Sequence, residues 1–184
     1  TSSFHATKLF HTVEGGCVIT KNDDIALQII SKRDHGFINK ISETYGTNAR
    51  QSEFHAAMGI CNLKYIDEIL AKRKHDATLY HSLLKNTNLS FTVIKPKEEY
   101  NYAYFPVIFP TEDSLLKTLA ILEANDIYCR RYFYPSLNQV EYTKGLSMPI
   151  SESVAASILC LPLYVGLSET ELKNICKIIN EVIR

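Results

Sequence analysis

The run Ser3-Phe4-His5-Ala6-Thr7-Lys8-Leu9-Phe10-His11-Thr12-Val13-Glu14-Gly15-Gly16 places a hydroxyl five positions before a lysine, and follows that lysine with a carboxylate and a glycine pair. A lysine amine becomes a nucleophile when its proton can leave near neutral pH, through desolvation or a neighbouring positive charge. Phe4, Ala6, Leu9 and Phe10 give Lys8 small or apolar neighbours, which predicts partial burial of the amine at a turn. The same residues also read as an ordinary surface lysine on a loop.

A second stretch, Tyr45-Gly46-Thr47-Asn48-Ala49-Arg50-Gln51-Ser52-Glu53-Phe54-His55-Ala56-Ala57-Met58-Gly59, reads as a turn feeding a helix. Ser52 or Asn48 is the expected cap. Phe54, Ala57, Met58, Cys61 and Tyr65 then fall on one helical face, predicting an amphipathic helix that buries them. Backbone amides at such a helix start favour an anion, although a capped helix without a ligand gives the same pattern.

Other chemistries find little support. The six histidines fall on no metal spacing, and neither a Gly-x-Ser-x-Gly turn nor a glycine-rich phosphate loop is present. Cys17, Cys61, Cys129, Cys160 and Cys176 are scattered, odd in number and mostly set among apolar neighbours, as expected of buried free thiols in a reducing, cytoplasmic compartment, and no structural metal is expected. Lysine plus arginine and aspartate plus glutamate both number 20 in 184 residues, so no charge excess points to nucleic acid or an anionic membrane. At 46% apolar and 22% charged, the chain has the composition of a packed globular protein.

The elements that must position these residues follow from local pattern. A short buried strand is expected over residues 16–20, then a helix from the Asn22 cap to about Lys32 closed by Gly36, then a loop over 36–47. A pair of helices spans about 53–86, with the Lys72-Arg73-Lys74 cluster on a solvated face. Strands are expected over Ser90–Lys95, Tyr102–Phe109 and Ile127–Phe133, and a helix capped by Thr111 lies between the last two. Tyr132-Phe133-Tyr134 reads as core of that last strand or as a pocket wall. A short helix from Ser153 runs into Cys160-Leu161-Pro162-Leu163-Tyr164. Ser168 and Glu171 form a capping box for a final helix that buries Leu172, Ile175, Cys176 and Ile179. Such alternation suggests an α+β domain with a small, mainly antiparallel sheet.

The first stretch resembles the Schiff-base segment of the DegT/DnrJ/EryC1/StrS family of pyridoxal-phosphate-dependent sugar aminotransferases. The second resembles that family's Gly-x-Asn-x-Arg-Met-Ser-Glu-x-x-Ala-Ala-x-Gly segment, with Gln51 where methionine is common. The Leu-Pro-Leu-Tyr segment with its helix resembles the family's C-terminal end, so the likeness runs through essentially the whole chain. It implies an α/β fold with an α+β C-terminal domain, part of an aspartate-aminotransferase-like (fold type I) enzyme. Residues 1–50 would end the large cofactor-binding domain and 51–184 would form the small domain. Lys8 would carry pyridoxal 5'-phosphate as a Schiff base, Ser3 would bond the cofactor phosphate, and Asn48 would reach the phosphate in the other subunit of a homodimer.

The implied reaction is transfer of an amino group, usually from glutamate, to a nucleotide-linked keto sugar. The wording around Lys8 resembles members that aminate C4 of a dTDP-4-keto-6-deoxyhexose, in deoxyamino-sugar and surface-polysaccharide synthesis. Val13 departs from the glycine common before Glu-Gly-Gly, which leaves the lysine chemistry untouched. The acidic partner of the pyridinium nitrogen lies upstream of the lysine in the family. The chain is therefore expected to be a C-terminal fragment, inactive alone. The alternative is a regulatory or dimerisation remnant of the same fold, although the intact Lys8 favours transfer. An unrelated α+β binding module would require both motifs to be accidental.

Overall fold

A computed structural model describes residues 1–143 and 145–183. Two compact units, Thr1–Asp67 and Glu68–Arg184, divide the chain.

In the first unit, β1 (Ser2–Ser3) pairs antiparallel with β2 (Gly16–Cys17), so the lysine stretch is the loop that joins them. Helix α1 (Asp23–Arg33) starts where the Asn22 side chain accepts from the Ile25 amide at 3.0 Å, with Asp23 and Asp24 in its first turn. Gly36, at φ 79°, ends it by donating its amide to the Ser31 carbonyl. The expected loop over 36–47 instead contains a hairpin, β3 (Phe37–Ile38) with β4 (Ile41–Ser42). Asn39 and Lys40 both take positive φ at its tip, the backbone such a tight turn needs. The strand expected over 16–20 stops at Cys17.

Helix α2 (Glu53–Leu63) is capped by Ser52, not Asn48. Its burial reverses the expectation. His55, Ala56, Gly59 and Asn62 form the side turned into the unit, whereas Phe54 is 89% exposed and Ala57, Met58, Cys61 and Tyr65 are exposed too. Periodicity shows which residues share a face; it does not supply the surface that covers them.

The second unit is built on α3 (Ile66–Leu84), which starts at the junction of the two units, and on the antiparallel sheet β5 (Ser90–Phe91), β6 (Phe105–Ile108) and β7 (Ile158–Leu161), in that order. Around the sheet lie α4 (Glu112–Glu123), α5 (Pro149–Ser157) and α6 (Glu169–Ile183). Thr111 and Ser114 cap α4 reciprocally, and Ser168 and Glu171 form the capping box expected for α6. Tyr80, Leu84, Val107, Leu115, Leu122, Leu159, Leu172 and Ile179 are wholly buried in one cluster. Within α3, Lys72 Nζ lies 2.5 Å from the fully buried Asp76 carboxylate and donates to the Leu167 carbonyl at 2.8 Å.

Residues 127–133 do not form the expected strand. Arg130 makes a single bridge with Cys160, and the chain then leaves the sheet edge. Arg131 fixes that departure by donating to Glu112 at 2.7 Å and to the Ala156 carbonyl at 2.8 Å, with Tyr134 stacked 3.8 Å from its guanidinium. Phe133 is consequently 76% exposed, not part of a core. Among the described residues, no helix is long and apolar enough to cross a membrane.

Candidate active site

The β1–β2 loop is tied shut by its own backbone. The Phe4 amide donates to the Gly15 carbonyl at 2.8 Å and the Thr12 amide to the Phe4 carbonyl at 2.9 Å. Phe4 and Phe10 close edge-to-face inside it at 5.2 Å. Within this frame the Lys8 amide donates to the His5 carbonyl at 2.9 Å and the His5 amide to Ser3 Oγ at 3.4 Å, so His5 links the two predicted residues. His5 also lies 3.6 Å from the Glu14 carboxylate across the loop.

The Lys8 side chain is exposed, which overturns the expected partial burial. The apolar neighbours pack on one another, and the lysine stands on the outside of the turn they build. Thr12 is the residue that goes inside: it is buried, and its hydroxyl donates to the Glu14 carbonyl at 2.7 Å. Val13 follows at φ 68°, in the left-handed region that glycine enters without cost and a β-branched residue does not.

Two residues outside the motif buttress the loop. Asn62 of α2 donates to the His11 carbonyl at 2.9 Å. Gly59 sits so close to Thr12 that an added Cβ would meet its Cγ2 at 2.7 Å. Helix α2 thus packs with the lysine loop in the first unit. Sequence periodicity marks neither residue, although Gly59 closes the second motif and is a glycine inside a helix.

Asn48 is exposed, in a segment laid along the end of α1. It bridges Asp34, and the flanking Thr47 and Ala49 amides donate to the Lys32 and Arg33 carbonyls at 2.8 and 2.9 Å. The same segment brings Gln51 beside the glycine pair, where a Cβ on Gly15 would lie 3.1 Å from Gln51 Nε2. Both motifs also contribute walls to one cavity of about 580 Å3, through Gly16 with the flanking Ser2 and Cys17 on one side and Ala49 and Gln51 on the other, while Ser3, Lys8 and Asn48 are not among its lining residues. Ser3 and Lys8 therefore share one loop, and Asn48 belongs to the segment that meets that loop at Gln51.

An exposed primary amine and an exposed hydroxyl on one closed stretch are the group types that an aldehyde and a phosphate would engage. Among the described residues Ser3 Oγ accepts one long bond, from the His5 amide, and a hydroxyl that accepts can still donate its own hydrogen.

The chain matches known proteins in family, in sequence and in fold. The model of the DegT/DnrJ/EryC1/StrS aminotransferase family matches residues 1–180. The dTDP-4-amino-4,6-dideoxy-D-glucose transaminase of Escherichia coli is 32% identical over 176 residues, which are 90% of this chain and 47% of that protein. Among solved structures, DesI, determined in the presence of its TDP-sugar product, superposes with a TM-score of 0.88 at 26% identity, over 99% of this chain and 49% of DesI. The aminotransferase TlmJ from Streptoalloteichus hindustanus gives a TM-score of 0.90 at 20% identity, over 98% of this chain and 50% of TlmJ. The chain thus spans about half the length of these relatives.

Proposed function

This chain belongs to the DegT/DnrJ/EryC1/StrS aminotransferase family, and from that premise we propose that it carries the lysine of a transaminase acting on a nucleotide-linked keto sugar, with glutamate as amino donor. The family uses pyridoxal 5'-phosphate. The substrate is a dTDP-4-keto-6-deoxyhexose, in line with the named activity of the Escherichia coli relative. Its product feeds deoxyamino-sugar and surface-polysaccharide synthesis in the cytoplasm. The observation that carries the reading is the closed β1–β2 loop, which holds Ser3 and Lys8 exposed on one frame.

When bound, pyridoxal 5'-phosphate supplies an electron sink for the carbanion at the amine-bearing carbon. Lys8 Nζ would hold the cofactor at its aldehyde carbon. The same nitrogen, when free, would take and return the proton at the amine-bearing carbon. Ser3 Oγ–H donates to a phosphate oxygen, and the Asn48 side-chain amide donates to the phosphate held by the other subunit of a homodimer. Residues 1–50 serve as the end of the large cofactor-binding domain and 51–184 as the small domain, with α2 bracing the lysine loop through Gly59 and Asn62.

The test is an assay of the native gene product with glutamate and a panel of dTDP-, UDP- and GDP-linked keto sugars, following 2-oxoglutarate. Turnover is expected with dTDP-4-keto-6-deoxyglucose and not in a Lys8→Ala variant. Failure to release 2-oxoglutarate with any of the sugars contradicts the proposal.

A further inference from the structure

We infer that His5 is a positioning residue for the lysine loop: its ring, held as a single tautomer between Thr7 and Glu14, fixes the turn from which Lys8 projects and its relation to Ser3. The inference rests on the reading of Lys8 as the cofactor lysine. Residues 5–8 form a turn closed by the Lys8 amide, which donates to the His5 carbonyl at 2.9 Å. From the same residue the His5 amide donates to Ser3 Oγ at 3.4 Å. Among the described residues, His5 is the one bonded to both Ser3 and Lys8. The Lys8 side chain is exposed, so this turn, not a packed surround, fixes the point from which its amine departs.

The His5 ring braces that turn. The Thr7 amide donates to Nδ1 at 3.2 Å, and Thr7 Oγ1 lies 2.9 Å from the same nitrogen. A ring nitrogen that accepts from an amide carries no hydrogen of its own. The neutral ring therefore keeps its hydrogen on Nε2, and the Thr7 hydroxyl is a second donor to Nδ1. Nε2 faces the Glu14 carboxylate across the loop at 3.6 Å, which favours the hydrogen on that side. The two ring nitrogens thus have different partners, one within the turn and one beside the glycine pair, where the Phe4 amide and the Gly15 carbonyl already close the backbone at 2.8 Å.

With the two side chains 48% and 66% exposed, the His5–Glu14 pair adds little to stability. What it supplies is orientation. Lys8 and Ser3 have to engage two ends of one molecule, and a misplacement of about 1 Å can cost on the order of a hundredfold in rate. Loss of the ring loosens the 5–8 turn and with it the fixed relation of Lys8 to Ser3. A histidine that merely occupied the surface would have no reason to hold a single tautomer.

The tests use the native gene product. Without cofactor and at mildly alkaline pH, nitrogen-15 spectra of the histidine rings, with the His5 signals identified by their loss in His5→Asn, should show hydrogen on Nε2 and none on Nδ1. Mixed with pyridoxal 5'-phosphate and reduced by borohydride at timed intervals, the parent should gain a pyridoxyl group at Lys8 on the order of tenfold or more faster than His5→Ala. His5→Asn keeps an acceptor oxygen near the place of Nδ1 and should recover most of that rate, whereas His5→Gln carries its acceptor past that place and should not. A merely structural His5 would instead slow all three variants in step with their urea unfolding midpoints. An Nδ1–H ring, equal rates in the parent and His5→Ala, or His5→Asn as slow as His5→Ala overturns the inference and leaves the role of Lys8 standing. A parent that gains no pyridoxyl group at Lys8 overturns that role, and the role of His5 with it.

Discussion

Replacing Gly59 by alanine tests whether α2 shapes the lysine loop. In an open helix this change is favourable by about 1 kcal/mol, because glycine carries the larger entropy cost. Here the new Cβ would stand 2.7 Å from Thr12 Cγ2. Carbon atoms prefer about 3.5–4.0 Å, so one side must move by about 1 Å. Thr12 cannot rotate away freely, since it is buried and its hydroxyl is committed to the Glu14 carbonyl. Forced overpacking of this kind costs about 1–3 kcal/mol, which leaves Gly59→Ala neutral to about 2 kcal/mol destabilising. Thr12→Ser keeps the hydroxyl bond and removes the methyl, at a loss of about 1 kcal/mol of burial. In that background Gly59→Ala should become stabilising by about 1 kcal/mol. Urea unfolding of the four proteins gives the coupling energy directly, expected at about 1–3 kcal/mol. A coupling below about 0.5 kcal/mol, with Gly59→Ala stabilising in both backgrounds, refutes the packing of α2 on this loop.

Val13→Gly should be neutral to about 1 kcal/mol stabilising, since relief of the left-handed valine outweighs the added chain entropy at an exposed site; a loss in thermal unfolding would contradict the backbone assignment. Lys72→Met leaves the Asp76 carboxylate buried without its partner and should cost about 2–4 kcal/mol by urea unfolding, toward the low end for a buried pair because Lys72 is partly solvated; Lys72→Met with Asp76→Leu should recover most of it, and a cost under about 1 kcal/mol for the single change would count against the pair. Burial pushes the thiols of Cys129 and Cys176 up to about 12 and that of Cys160 upward as well, so thiol reagent at pH 8 should label exposed Cys61 first and reach those three only on unfolding. Because these folded-state values lie above the ordinary 9.0, the associated stability is complete below about pH 9 and is lost as pH rises toward 12, which a pH series of unfolding midpoints would show.

The sequence made legible those parts whose cause is local. Asn22, Ser52, Thr111 and Ser168 cap their helices because each side chain needs only the next turn of backbone. The lysine loop was legible because its hydroxyl, amine and glycines sit within one short run. What was not legible depends on distant partners. Periodicity names the apolar stripe on α2 as a face, whereas the residues that pack are Gly59 and Asn62, through contacts with Thr12 and His11. Residues 127–133 have strand-like composition, but Arg131 anchors to Glu112 and Ala156 and draws the chain from the sheet after one bridge. The hairpin at 37–42 lacked a glycine at its tip, so nothing in the run announced it. Local sequence locates Lys8 on its turn but not the side it faces: Phe4 and Phe10 pack on each other and leave the amine outside.

Borohydride reduction of the native gene product incubated with pyridoxal 5'-phosphate, followed by proteolysis and peptide mass mapping, tests the central claim most directly. The predicted result is a pyridoxyl group on the peptide containing Lys8, lost in Lys8→Ala and reduced in Ser3→Ala. A pyridoxyl group on a different lysine, or none at all, would contradict it.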